Sequence, residues 1–122
     1  MSVTDANKAF IAEMLGQKKR LEDYPGRFDS DLVMHESASL PFGGTYHGLQ
    51  EFQRFYPDVR RFYDFETFQL LGVYGDGDTV FATARVEVAG SDGVIYIAEQ
   101  FRFSGTKLME VRVHICESRP SG

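Results

Sequence analysis

Val94-Ile95-Tyr96-Ile97-Ala98-Glu99-Gln100-Phe101-Arg102-Phe103 is followed by Ser104-Gly105-Thr106, and then by Lys107-Leu108-Met109-Glu110-Val111-Arg112-Val113-His114-Ile115-Cys116. Both long runs alternate with the period of two that marks β-strands, and the short glycine-centred break between them is hairpin chemistry. The same pattern extends backwards through Thr79–Ala89 and about Phe65–Tyr74, with breaks at Gly75-Asp76-Gly77-Asp78 and Gly90-Ser91-Asp92-Gly93. Breaks this short make consecutive strands antiparallel neighbours. From Phe65 onward the chain therefore reads as one antiparallel meander.

The residues before the meander read as helices and one short strand. Thr4 or Asp5 can cap a first helix whose apolar positions Phe10, Ile11, Met14 and Leu15 recur at helical spacing. A second short helix is expected from Leu21 to Phe28, limited by Pro25-Gly26. Leu32-Val33-Met34-His35 reads as a short strand, and the small and turn-forming residues from Ser37 to Tyr46 read as an irregular loop. Gly48 precedes a further helix with Leu49, Phe52, Phe55 and Tyr56 on one side, kinked or restarted at Pro57. Helices followed by a meander is an α+β order, and 122 residues fit a single domain, 1–122, with Ser118–Gly122 expected to fray.

Composition limits the function. The hydrophobic share, 43%, is enough for a real core, and eleven Phe with six Tyr make the interior aromatic enough to line a pocket for a flat apolar molecule. A formal net charge of -5 argues against a nucleic-acid surface, which needs clustered Lys and Arg. The one basic run, Lys18-Lys19-Arg20, reads as the end of the first helix, where cations suit the macrodipole. No apolar stretch is long enough to span a bilayer, the N-terminus lacks signal-peptide features, and the single Cys116 has no internal partner. A cytoplasmic protein without membrane or nucleic-acid partners is expected. No phosphate loop, dinucleotide fingerprint or metal-ligand spacing is present, so no cofactor and no metal are implied.

Strand phase separates two faces. Val80, Ala82, Ala84, Val86 and Val88 form one apolar row, and Met109, Val111, Val113 and Ile115 form another. The opposite rows carry Arg85, Glu87, Glu110 and Arg112, which read as cross-strand partners, and with His114 they form an outer face able to join two subunits. Glu99 breaks the pattern. It sits in the apolar row with Ile95, Ile97, Phe101 and Phe103, where a carboxylate must lose hydration, pair, or take up a proton. Groups placed in this way cluster at functional sites, and structural ion pairs produce the same pattern.

Asp31-Leu32-Val33-Met34-His35-Glu36, followed by Leu40-Pro41-Phe42-Gly43-Gly44-Thr45-Tyr46-His47-Gly48, resembles the strand and loop of polyketide-cyclase-like members of the nuclear transport factor 2-like superfamily, and Lys107-Leu108 resembles the start of their final strand. The resemblance covers nearly the whole chain. It implies an α+β cone in which N-terminal helices pack in the concave face of a curved, mostly antiparallel, cystatin-like sheet, and commonly a homodimer through the sheet's outer face. The fold alone does not fix a function, because isomerases, hydrolases, cyclases and binding proteins share it.

Ketosteroid isomerases of this superfamily place a general-base Asp at the end of the first strand, a position similar to His35. They place a protonated Asp on the strand resembling Val94–Phe103, at the position of Glu99, and a supporting Tyr where Tyr56 falls. Their first-helix tyrosine matches Phe10. Polyketide cyclases of the fold use an acid near the end of the last strand, where this chain has His114 and Cys116. Arg85-Val86-Glu87 looks like part of the Asp-Arg-Asp set of limonene-type epoxide hydrolases, whose last-strand acid matches Val113.

The resemblance thus implies a cofactor-independent acid–base enzyme, an isomerase, cyclase or related lyase, acting on a small hydrophobic carbonyl compound. His35 would be the base, Glu99 the acid or oxyanion donor, and Tyr56 a supporting hydroxyl. Phe10, Met14, Phe42, Tyr46 and Phe52 would line the pocket from the helices and loop. Val86, Ile97, Phe101, Val111 and Val113 would line it from the sheet. A binding protein using the same pocket and an epoxide-hydrolase-like enzyme are the alternatives. A direct His35–Glu99 ion pair would instead be a structural clamp.

Overall fold

The computed structural model describes residues 2–120. Helix α1 (Val3–Gly16) is capped not by Thr4 or Asp5 but by Ser2, whose hydroxyl accepts from the Asp5 N–H at 3.0 Å. The Thr4 hydroxyl donates instead to the Gly77 carbonyl at 2.7 Å, tying the helix to a hairpin across the sheet. The expected second helix shrinks to one 3-10 turn, Leu21–Asp23, closed by the Asp23 carboxylate accepting from the Arg20 N–H. Residues 24–27 turn the chain, and strand β1 (Phe28–Glu36) begins earlier than the sequence suggested.

The glycine-rich loop holds a strand that its composition hid. β2 (Gly44–His47) pairs antiparallel with the end of β1, His35 opposite Thr45 and Glu36 opposite Gly44. Helix α2 (Gly48–Phe62) runs unbroken through Pro57. Strands β3 (Tyr63–Asp76), β4 (Thr79–Val88), β5 (Gly93–Ser104) and β6 (Lys107–Pro120) then form the predicted meander. Of the tail expected to fray, Ser118–Pro120 belongs to β6 and pairs with β5, while residues 121 and 122 lie outside the described residues. One six-stranded sheet results, in the order β2-β1-β6-β5-β4-β3, antiparallel except where β1 lies parallel to β6.

Strand β5 separates β4 from β6, so Arg85 and Glu87 cannot be cross-strand partners of Glu110 and Arg112. Arg85 stands opposite Tyr96 and Glu87 opposite Val94, whereas Glu110 stands opposite Arg102. The phase of β6 also shifts. Arg102 pairs with Glu110 and Phe103 with Leu108, which leaves Met109 as an extra residue and puts Leu108, fully buried, into the core row.

Both helices pack on one face of the sheet, which is the α+β arrangement expected. Their contacts divide the core in two. Phe10, Ile11 and Met14 of α1 pack with Leu32, Val80, Ala82, Phe101, Phe103, Leu108 and Val111. Phe52, Phe55 and Val59 of α2 pack with Ala84, Val86, Ile95, Ile97 and Tyr63. Gly75 lets α1 approach β3, since a Cβ there would lie 2.8 Å from Lys8 Cγ and 3.1 Å from Thr4 Cγ2. Met34 packs against both clusters, and the cavity described next is lined from both. Among the described residues no helix is long and apolar enough to cross a membrane.

Candidate functional site

On β1, Leu32, Met34 and Glu36 share the row that faces the helices; on β5, Ile97, Glu99 and Phe101 do the same. Leu32 is 1% exposed, which fixes the phase of β1 and turns Met34 and Glu36 inward with it. The two rows meet a cavity of about 360 Å³ between the helices and the sheet. Glu36 and Glu99 both line it, among mostly apolar side chains that include Met14, Phe52, Val86, Ile97, Phe101, Val111 and Val113. Opposite Glu99 stand Ala82 on β4 and Val113 on β6, neither able to partner a carboxylate.

Two carboxyls in one oily cavity cannot both stay ionised at low cost. Burial, together with the charge of Glu99, raises the Glu36 carboxyl to about 8. Burial raises Glu99 to about 7. Two tyrosines add hydroxyls to the same cavity. Tyr56 of α2 and Tyr63, the first residue of β3, both line the cavity, and burial raises both phenols above their ordinary range. They are therefore hydrogen-bond donors at any working pH. The Arg20 guanidinium lies 4.6 Å from the Tyr56 ring centroid and holds that ring in the wall.

His35 is not in this site. It follows Met34 by one residue and so points to the outer face, where its Nε2 donates to the Glu110 carboxylate at 2.8 Å and its Nδ1 lies 3.0 Å from the Thr45 hydroxyl. Arg102 Nε donates to the same carboxylate at 3.3 Å. The clamp considered for His35 exists, but with Glu110, and it ties β1 to β6 outside the cavity. These partners hold the Glu110 carboxyl below its usual range, the hydrogen bond from His35 being the largest cause. Replacing His35 with Ala is expected to cost about 0.5–1 kcal/mol, as for a partly exposed pair. Thermal melts of H35A at neutral pH check this; a loss above about 3 kcal/mol would mean that the contact is not peripheral.

Three pocket candidates also fall elsewhere. Phe10 packs edge-on against Tyr24 and Phe103 with the Arg27 guanidinium 4.3 Å from its centroid. Phe42 packs against Phe62 and Tyr63, and Tyr46 stacks on Phe55 while donating its hydroxyl to the Phe42 carbonyl at 2.7 Å. None of the three lines the cavity. The epoxide-hydrolase pattern fails on parity: Val86 lines the cavity, and its neighbours Arg85 and Glu87 do not. Met14, Phe52, Val86, Ile97, Phe101, Val111 and Val113 do line it, as do Glu99 and Tyr56.

Glu36 and Tyr63 were missed. The signal for Glu36 was the alternation Leu32, Met34, Glu36, the same argument that singled out Glu99. Tyr63 carried the period-two spacing Tyr63-x-Phe65 but stood before the expected start of the strand. Among the described residues no group of three or more His, Cys, Asp or Glu is placed to hold a metal ion.

No protein-family model matches the chain, and no curated protein matches it in sequence. Solved structures do match in shape. An NTF2-like protein of unknown function from Burkholderia pseudomallei is 18% identical with a TM-score of 0.72, covering 94% of this chain and 92% of that one. A protein of unknown function with a cystatin-like fold from Xanthomonas campestris is 18% identical with a TM-score of 0.72, covering 96% and 92%. A putative SnoaL-like polyketide cyclase from Jannaschia is 10% identical with a TM-score of 0.75, covering 95% and 89%. At these identities the likeness is one of architecture, and the chain has the NTF2-like fold, a cystatin-like cone of helices on a curved sheet.

Proposed function

We propose that the cavity performs cofactor-independent proton transfer on a small apolar carbonyl compound, with the Glu36–Glu99 pair dividing the roles of base and acid. The observation that carries this reading is the placement of two carboxyls in one apolar cavity, raised to about 8 and about 7. Near neutral pH such a pair shares one proton. The ionised member takes a proton from the carbon next to the substrate carbonyl. The protonated member, with the Tyr63 or Tyr56 hydroxyl, donates to the enolate oxygen that forms. Return of the proton to a different carbon gives isomerisation; attack of the enolate carbon on a second carbonyl gives aldol-type cyclisation. The SnoaL-like likeness is compatible with either outcome and selects neither.

The test is exchange of α-protons for deuterium in a panel of cyclic enones and β-diketones, followed by proton NMR. Exchange above the buffer rate is expected for at least one member, and it should vanish in the double variant Glu36→Gln/Glu99→Gln. A protein that only holds such molecules would raise its melting temperature with them yet leave exchange at the buffer rate, and that outcome would reject the proposal.

A further inference from the structure

The basic run Lys18-Lys19-Arg20 does not end α1 in the sense expected. The helix stops at Gly16 with no basic residue in its last turn, and the three cations follow it. Backbone N–H groups of Gln17, Lys18 and Lys19 already satisfy the Glu13, Leu15 and Met14 carbonyls. Lys18 adopts a left-handed φ of 54° there, a conformation that costs a side chain something. Lys18, Lys19 and Arg20 all line the cavity, and Arg60, from the last turn of α2, lines it as well.

All four are solvent-exposed, so they form the mouth, while Glu36 and Glu99 sit inside. Four of the thirteen Lys and Arg of a chain with net charge -5 thus converge on one opening from two separate elements. The acidic groups nearby do not cancel them. Glu22 takes one contact from Arg20 at 2.9 Å, and Lys18 Nζ reaches the Glu66 backbone carbonyl at 3.2 Å; the Glu66 side chain is the one further acid among the lining residues at the mouth. The cavity is therefore polarised, positive at the rim and carboxyl-bearing within.

We propose that the substrate is an apolar carbonyl compound carrying a carboxylate, and that Lys18, Lys19, Arg20 and Arg60 hold this carboxylate at the mouth while the carbonyl end reaches Glu36 and Glu99. This assignment rests on the cavity being the substrate site. It orients the ligand, because an anionic end is drawn to the rim and repelled from the interior pair. A neutral ketone of the same size lacks that anchor and enters in either direction.

Two fluorescent probes with the same aromatic body test it: 8-anilinonaphthalene-1-sulfonate, whose sulfonate stands in for a carboxylate, and uncharged N-phenyl-1-naphthylamine. The double variant Lys19→Gln/Arg60→Gln should weaken the anionic probe roughly five- to tenfold and the neutral one by less than about twofold. A charge-matched control, Arg54→Gln/Lys107→Gln, neutralises two exposed cations outside the cavity and should leave both affinities unchanged. Equal losses for both probes, or an equal loss in the control, would overturn the anchored carboxylate and leave the proton-transfer reading intact. Binding of neither probe would overturn both. Absence of α-proton exchange with the probe pattern as expected would reject the chemistry alone.

Discussion

Glu99→Gln is expected to stabilise the protein by about 2–3 kcal/mol at pH 9 and by almost nothing at pH 4. The sign follows from linkage. Glu99 has a folded-state value of about 7, above that of an unfolded glutamate near 4.3, so between these values the native state binds more protons than the unfolded state. Stability therefore falls as pH rises through this window and levels off above it, where the native state must keep a charge in an apolar wall. Gln has nearly the same shape and no charge, so it removes that penalty where the penalty exists. For a chain of this length the gain corresponds to roughly 10 °C in melting temperature. Melts of wild type and variant at pH 4 and pH 9 read the difference directly, and an equal shift at both pH values would contradict the buried-carboxyl account.

The same substitution should remove activity. With the Glu36 value raised partly by the charge of Glu99, Glu99 is the member ionised first, so in the proposed chemistry it would be the base and Glu36 the donor. Glu99→Gln should lower the exchange rate by about 10²–10⁴, the usual contribution of a positioned base. Glu36→Gln should cost less, about tenfold, because an amide N–H can still donate to the enolate oxygen. The wild-type rate should peak between the two apparent values, about 7 and about 8, and fall on both sides as the pair becomes fully protonated or fully ionised. Single-turnover exchange rates across pH 5–10 check all three points. Equal losses for the two variants, or a rate that rises with pH to a plateau, would require a different division of roles.

The expected gain in stability and the expected loss of exchange come from one cause. A carboxyl placed where hydrocarbon would be more stable costs folding free energy and acquires a proton affinity useful near neutral pH.

How much of this was legible in the sequence depended on whether local pattern or distant contact decided the matter. The meander was legible because hairpin breaks and period-two rows are local, and Glu99 stood out because its neighbours fixed its row. The β1–β6 parallel pairing joins residues more than seventy apart and leaves no local mark. β2 was hidden because Gly43 and Gly44 look like loop; its strand geometry comes from pairing with β1. The extra residue at Met109 moved Leu108 into the core against a clean-looking alternation.

His35 and Glu36 show a different failure. The residues needed to choose between them were present, since Leu32 and Met34 already formed an apolar row that continues to Glu36. His35 and Glu36 are neighbours at a strand end, and one residue in a strand is the difference between the cavity and the outer face. The cations at the mouth were visible as a run but not as a rim. Their role depends on where the chain turns after α1 and on Arg60, forty residues later.

The most direct test of the central claim is a carbon-13 NMR titration of the glutamate side-chain carboxyls, assigned through Glu36→Gln and Glu99→Gln. Two carboxyls titrating at about 7 and about 8, with the Glu36 value falling when Glu99 is replaced, is the predicted result. Titration of both below pH 5 would contradict the account, because it would place the two groups in water or against cations and leave no shared proton for the cavity to use.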